Sequence, residues 1–148
     1  MLNCIDFDEL MLSSPSSAIK AFESKLSKST ASFSNMSSFP LYHGLYFVYL
    51  ENQVIYIGKA DKQPIRKRCE QYVGTSTGAT LRLKIEKATG SDKQGSIAYI
   101  SKNLKARFIE LGNLEQIPVL EEIAIWAFQP KLNVIKPKTF RYELTNFS

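Results

Sequence analysis

The chain has 148 residues, 44% hydrophobic and 22% charged, which is one domain's length with enough apolar surface for a buried core and excludes a disordered chain. Its net charge is +5 with a pI near 9.2, and the charge is uneven: Lys59 to Arg107 holds twelve Lys/Arg against four Asp/Glu, a local +8 that leaves the remainder slightly acidic. A basic middle suits a polyanion, although on charge alone a solvated surface with a chance excess weighs equally.

No apolar stretch reaches the length of a bilayer span, so no membrane role is expected. The first ten residues carry Asp6, Asp8 and Glu9 without a basic cluster and do not read as a secretion signal. Cys4 and Cys69 are far apart and lack neighbouring His partners. They make neither a disulfide framework nor a zinc site, and a reducing cytoplasm is the expected compartment.

Residues 1–40 read as a Ser-rich helical extension to a main domain at 41–148. Ser14-Pro15 predicts a helix start, and Ile19, Phe22 and Leu26 fall on one face of a short helix from Pro15 to Leu26. A Ser-rich connection closes at Pro40. Leu45 to Leu50 and Val54 to Ile57, joined by the polar Glu51-Asn52, predict a β-hairpin ended by Gly58. Helices follow at Ile65 to Val73, behind Pro64, and at Thr80 to Ala88, before the breaker Thr89-Gly90-Ser91-Asp92. Ile97 to Ile100 fits strand or helix, and Ala106 to Leu111 reads as a strand. Pro118 opens a helix through Ile123, Ile125, Trp126 and Phe128, with Ile125 and Trp126 expected in the core. Pro130 ends it, and the tail from Asn133 reads as extended. The order β-β-α-α-β-α behind one helix is too irregular for a doubly wound parallel fold and implies an α+β domain with a small sheet.

The chemistry concentrates in a spaced set of residues. Gly44-Leu45-Tyr46 is followed by Tyr56-Ile57-Gly58-Lys59-Ala60, then by Ile65-Arg66-Lys67-Arg68 with Tyr72, then by Glu121, Pro130 and Asn133. In this order the set resembles the GIY-YIG endonuclease family over residues 44–133, with Leu45 where the first triplet has Ile. The resemblance implies a three-stranded antiparallel sheet flanked by helices, with the site on one face of the sheet. It implies a metal-dependent endonuclease that hydrolyses DNA phosphodiester bonds. It further implies Tyr46, Tyr56, Arg68 and Glu121 as catalytic residues, with Lys59, Tyr72 and Asn133 in support.

Phosphodiester hydrolysis needs an activated water, cationic charge on the phosphate and help for the leaving oxygen. Glu121 is assigned as the carboxylate ligand of Mg²⁺ or Mn²⁺, which keeps several waters and takes phosphate oxygens. Arg68 offers a fork of donors to the scissile phosphate. Tyr46 serves as general base or positions the attacking water. An ordinary tyrosine pKa of about 10 makes the first role depend on nearby positive charge, from Lys59 and the metal. Tyr56 orients the site or shares a proton relay, Tyr72 adds a hydrogen bond, and Asn133 fixes the backbone. Lys62, Arg66, Lys67, Arg82 and Lys84 are the expected contacts to DNA phosphates, blind to sequence.

Each assignment has a plainer counterpart. Tyr46 and Tyr56 can be core aromatics of the sheet, Arg68 one surface charge beside Arg66 and Lys67, His43 a turn residue and Cys69 a small packing residue. Glu122 is one residue out of the spacing that Glu121 fits. The segment 74–78, Gly-Thr-Ser-Thr-Gly, lacks a P-loop ending and reads as a loop near the DNA backbone. The rival to catalysis is an inactive nucleic-acid-binding module on the same fold. A third option is an interaction protein whose N-terminal helix docks a partner. Specificity is left to residues 74–80 and 89–105, the N-terminal segment, a homodimer or a protein partner.

Overall fold

A computed structural model describes residues 14–74 and 79–134. Helix α1 spans Pro15–Lys25, followed by a two-residue strand β1 (Ala31–Ser32) and a 3-10 turn at Met36–Ser38. The hairpin is β2 (Gly44–Leu50) and β3 (Gln53–Ala60). After it come α2 (Ile65–Val73), α3 (Thr80–Thr89), α4 (Lys93–Asn103), β4 (Leu104–Glu110), α5 (Gln116–Phe128) and α6 (Lys131–Val134). The molecule is an α+β fold around one antiparallel sheet of order β1-β4-β2-β3.

The sheet has four strands where three were expected. Strand β1 comes from the Ser-rich connection, pairing Ala31 with Ala106 and Ser32 with Lys105. Ser27 prepares this docking. Its N–H donates to the Phe108 carbonyl at 2.8 Å, and its hydroxyl accepts the Phe108 N–H at 3.0 Å. Two residues are too few to show period-two patterning, which is why the strand is silent in the sequence. The segment 97–100 resolves as helix. Asp92 caps α4 by accepting the Gly95 N–H at 2.8 Å, and Ser96 and Ile100 bury one face at i, i+4.

Helix starts follow local chemistry. Ser14 Oγ accepts the Ser17 N–H at 3.3 Å ahead of Pro15. Helix α5 begins at Gln116, two residues before the expected Pro118, which sits in the first turn where its missing N–H costs nothing. Ile117, Leu120, Ala124 and Ala127 form its buried stripe. That stripe turns Trp126 outward, 45% exposed, against the expectation of a core residue; Ile125 is partly buried against the core. Lys131–Val134 forms one helical turn, so Asn133 and Val134, where the extended tail was expected to begin, are helical. Residues 1–13, 75–78 and 135–148, and with them the expected loop at 74–78 beyond Gly74 and the rest of the expected tail, lie outside the described residues.

Both faces of the sheet are covered. One carries Tyr46, Val48, Tyr56, Ala106 and Phe108 under α2, α3 and α4. The other carries Leu45, Phe47, Ile57 and Ile109 under α1 and α5. Phe22 of α1 packs on this second face, its ring centroid 6.2 Å from those of both Phe47 and Phe128. At Gly44 a Cβ would stand 1.9 Å from the Ile109 carbonyl oxygen, so only glycine lets β2 approach β4 so closely there. Among the described residues, no helix is long and apolar enough to cross a membrane.

Candidate functional site

The site begins with an irregularity in the hairpin. From the turn, Leu50 pairs with Gln53 and Tyr49 with Val54, but Val48 pairs with Tyr56. Ile55 is the extra residue of a β-bulge. Because side chains alternate, this one-residue shift turns Tyr56 onto the face that carries Tyr46. The two rings lie diagonally, their centroids 6.4 Å apart. Directly across from Tyr46 is Gly58. A Cβ on Gly58 would lie 2.2 Å from Tyr46 Cζ and 2.3 Å from its hydroxyl oxygen, so the phenol occupies the space that glycine leaves.

Helix α2 supplies the next groups. Ile65, Cys69 and Tyr72 are its buried stripe at i, i+4 and i+7. The Tyr72 and Tyr46 hydroxyls hydrogen-bond to each other. Arg68 lies beside that stripe, its Cζ 5.5 Å from the Tyr72 ring centroid. It donates through Nη1 to Gln71 Oε1 at 2.8 Å and through Nη2 to Thr80 Oγ1 at 3.3 Å. Arg66 does not duplicate Arg68. It donates to the Phe39 and Ser37 carbonyls at 2.8 and 3.0 Å and ties α2 to the 3-10 turn.

Strand β3 is the sheet's edge, so every other peptide faces outward without a strand partner. At Ile57, between Tyr56 and Gly58, Asn133 takes the partner's place. Its Oδ1 accepts the Ile57 N–H at 2.8 Å and its Nδ2 donates to the Ile57 carbonyl at 3.1 Å. Asn133 thus clamps the Ile57 peptide at two points. Asn133→Ala is expected to cost about 1–3 kcal/mol by leaving both peptide groups without this partner, read as a lower urea midpoint at unchanged slope. An unchanged midpoint would contradict the clamp's importance.

Tyr46, Tyr56, Lys59, Asp61, Arg68, Thr80 and Glu121 line one cavity of about 380 Å³ together with Ala60, Lys62 and Gln63. The cavity is not confined to one sheet face, as the resemblance implied. The tyrosines, Arg68 and Thr80 come from the face under α2 and α3, whereas Glu121 comes from α5 on the other face. They meet around β3 because an edge strand has no neighbour to separate the two sides.

Of the other expected basic contacts, Lys62 and Lys67 are exposed. Arg82 departs from expectation: it is 2% exposed, and its Nη1 donates to the Gln71 and Gly74 carbonyls at 2.9 and 3.4 Å. With Glu86 3.4 Å from its Nε, its charge is engaged inside the fold rather than presented to a phosphate. Lys84 is half-buried and donates to the Leu132 carbonyl at 2.9 Å. The His43 carbonyl accepts the Leu111 N–H at 3.0 Å, joining the start of β2 to the end of β4. Cys69 is fully buried, and burial pushes its thiol well above the ordinary range. Asp61, Gln71 and Thr80 join the site without having been singled out in the sequence. Asp61 carried one faint signal, its place just past the second strand and two residues from Lys59.

Burial dominates the electrostatics. It raises Tyr46 and Tyr72 well above the usual phenol value and pushes Tyr56 up to about 12, where the Glu121 carboxylate adds to the rise and Arg68 opposes it. With no cation among the causes of its shift, Tyr46 is held as a neutral phenol in the metal-free protein. These neutral phenols stabilise the fold fully below pH 10, and that contribution is lost as pH climbs through their raised values. In an alkaline titration the phenolate absorbance of Tyr46, Tyr56 and Tyr72 is expected to appear only with the loss of helical circular dichroism. All seven tyrosines ionising while the helices persist would refute this.

The Glu121 carboxyl is also raised, by burial first and then by Asp61 and Glu122, with Lys59 and Arg68 opposing. Among the described residues there is no cluster of three or more His, Cys, Asp or Glu, so they form no protein-only metal cage. The donor set fits Mg²⁺, which is held by one or two carboxylates and otherwise keeps water and phosphate oxygens; Glu121 and Asp61 are carboxylates of that kind on one cavity. Compared with protein-family models and with curated proteins, the chain matches none.

Proposed function

We propose that this protein is a metal-dependent endonuclease of the GIY-YIG type that hydrolyses phosphodiester bonds in DNA, working in the cytoplasm. The observation that carries the reading is the convergence of Tyr46, Tyr56, Lys59, Arg68 and Glu121 on one cavity from two strands, two helices and both sides of a sheet. A packing role explains each residue singly but gives no reason for two cations, a carboxylate and two phenols to share a polar hollow.

In this reading Arg68 and Lys59 bind the scissile phosphate and stabilise the charge that grows on its oxygens. Glu121, with Asp61 nearby, would hold Mg²⁺ or Mn²⁺, which supplies Lewis-acid charge to phosphate and water. Tyr46, kept neutral by burial, positions the attacking water at its hydroxyl oxygen, and its bond to Tyr72 fixes that oxygen's direction. Water adds at phosphorus as it gives up a proton to solvent, the bond to the leaving sugar oxygen breaks, and that oxygen takes up a proton from solvent. Lys62 and Lys67 add phosphate contacts along the strand.

The test is incubation of supercoiled plasmid with the purified chain and Mg²⁺ or Mn²⁺, with Arg68→Ala as control. The wild type is expected to nick and linearise the plasmid, and the variant to be slower by about 10²–10³-fold. Salt-sensitive DNA binding without cleavage under any divalent cation and pH would instead establish an inactive binding module.

A further inference from the structure

We propose that Gln71 and Thr80 are positioning residues that set the orientation of the Arg68 guanidinium, with Arg82 holding Gln71 in turn. The proposal rests on the nuclease reading for its catalytic consequence but not for its geometry.

An arginine side chain has several rotatable bonds, and its fork recognises a phosphate only in one plane and one direction. On an open helix face that orientation would be averaged over rotamers. Here its neighbours hold it. Gln71, three residues on along α2, accepts from Nη1 at 2.8 Å, Thr80 accepts from Nη2 at 3.3 Å, and the Tyr72 ring packs against the guanidinium. Thr80 and Arg68 both line the cavity, so the pinned end stands where a phosphate would bind.

Behind this lies a second layer. Arg82, almost wholly buried, donates through Nη1 to the Gln71 carbonyl at 2.9 Å and to the Gly74 carbonyl at 3.4 Å. These are carbonyls at the C-terminal end of α2, which lack partners within a helix. The first turn of α3 thus supplies both supports: Thr80 touches Arg68 directly, and Arg82 anchors the residue whose side chain touches it. A plain packing role for Gln71 and Thr80 would need neither acceptor to face the same guanidinium.

The experiment compares Gln71→Leu, Thr80→Val and Thr80→Ser, each of near-native size at a half-buried position, in wild-type and Arg68→Ala backgrounds. The first readout is the NMR order parameter of the Arg68 Nε–H group, assigned by its loss in Arg68→Lys. It is expected to be high in the wild type, to drop in Gln71→Leu and Thr80→Val, and to recover in Thr80→Ser. The second is single-turnover cleavage of plasmid DNA. Gln71→Leu and Thr80→Val each remove one acceptor, and each is expected to slow the wild type about 10-fold and the Arg68→Ala enzyme less than about 2-fold. Thr80→Ser keeps the acceptor and should cut at close to the wild-type rate. An unchanged order parameter overturns the proposal, as does an equal slowing in both backgrounds. If the wild type cuts nothing, the nuclease reading falls, and the order parameters still decide whether Gln71 and Thr80 hold Arg68.

Discussion

Glu121→Gln is expected to slow DNA cleavage by at least about 10³-fold while making the metal-free protein slightly more stable at neutral pH. Burial, Asp61 and Glu122 raise the carboxyl of Glu121 above its ordinary value, with Lys59 and Arg68 offsetting part of the effect. An acid whose folded value is raised stabilises the fold below its unfolded value, and that contribution disappears as pH rises and the group ionises. At pH 7 the carboxylate is therefore a local cost, and the amide removes it. Because Glu121 is only half-buried, the gain is small, a rise in Tm of about 1–3 °C, and it should shrink towards pH 4 as the carboxylate takes up its proton. Thermal melts at the two pH values without divalent cation measure this directly. Adding Mg²⁺ is expected to raise the wild-type Tm and leave the variant's unmoved. A variant that cuts within about 10-fold of the wild type would remove Glu121 from the chemistry.

Gly58→Ala carries the second large effect. The added methyl would stand 2.2 Å from Tyr46 Cζ, and Tyr46 is 1% exposed with Tyr72 bonded to its hydroxyl. The ring is enclosed, so β3 or the ring must shift. A loss of about 1–3 kcal/mol is expected, together with at least about 100-fold in cleavage, since Tyr56 and Lys59 move with this stretch of β3 and Tyr46 is displaced by the added methyl. The cause can be isolated by repeating the substitution in a Tyr46→Leu background. With the phenol gone, the penalty should fall below about 1 kcal/mol. An equal penalty in both backgrounds would place the strain in the backbone rather than in the ring.

Much of this architecture is legible in residue order because the signals are local. Ser14-Pro15 and Pro64 mark helix starts, and the two aromatic runs around Glu51-Asn52 mark the hairpin. What was illegible depends on partners distant in the chain. The bulge at Ile55 leaves no trace in composition, yet it decides which face Tyr56 occupies. Strand β1 is too short for periodicity and exists only because β4 offers it an edge. Trp126 was misplaced because an apolar run in a helix does not say which stripe is buried; that depends on Leu45, Phe47 and Ile57 across the interface. The charged residues divide in the same way. Arg68 and Arg82 look equivalent as letters, but one lines the cavity and the other lies inside the fold, where it meets the end of α2.

Asn133 has a consequence beyond holding Ile57. An edge strand with bare peptide groups invites a second molecule to add its own strand, which is how sheets grow into fibrils. A side-chain amide, with one donor and one acceptor set like a peptide's, saturates the rim at the point where such growth would also seal off the hollow beneath it. The clamp on Ile57 is therefore expected to disfavour edge-to-edge pairing too, and its loss should show as self-association at high concentration as well as in the unfolding curve.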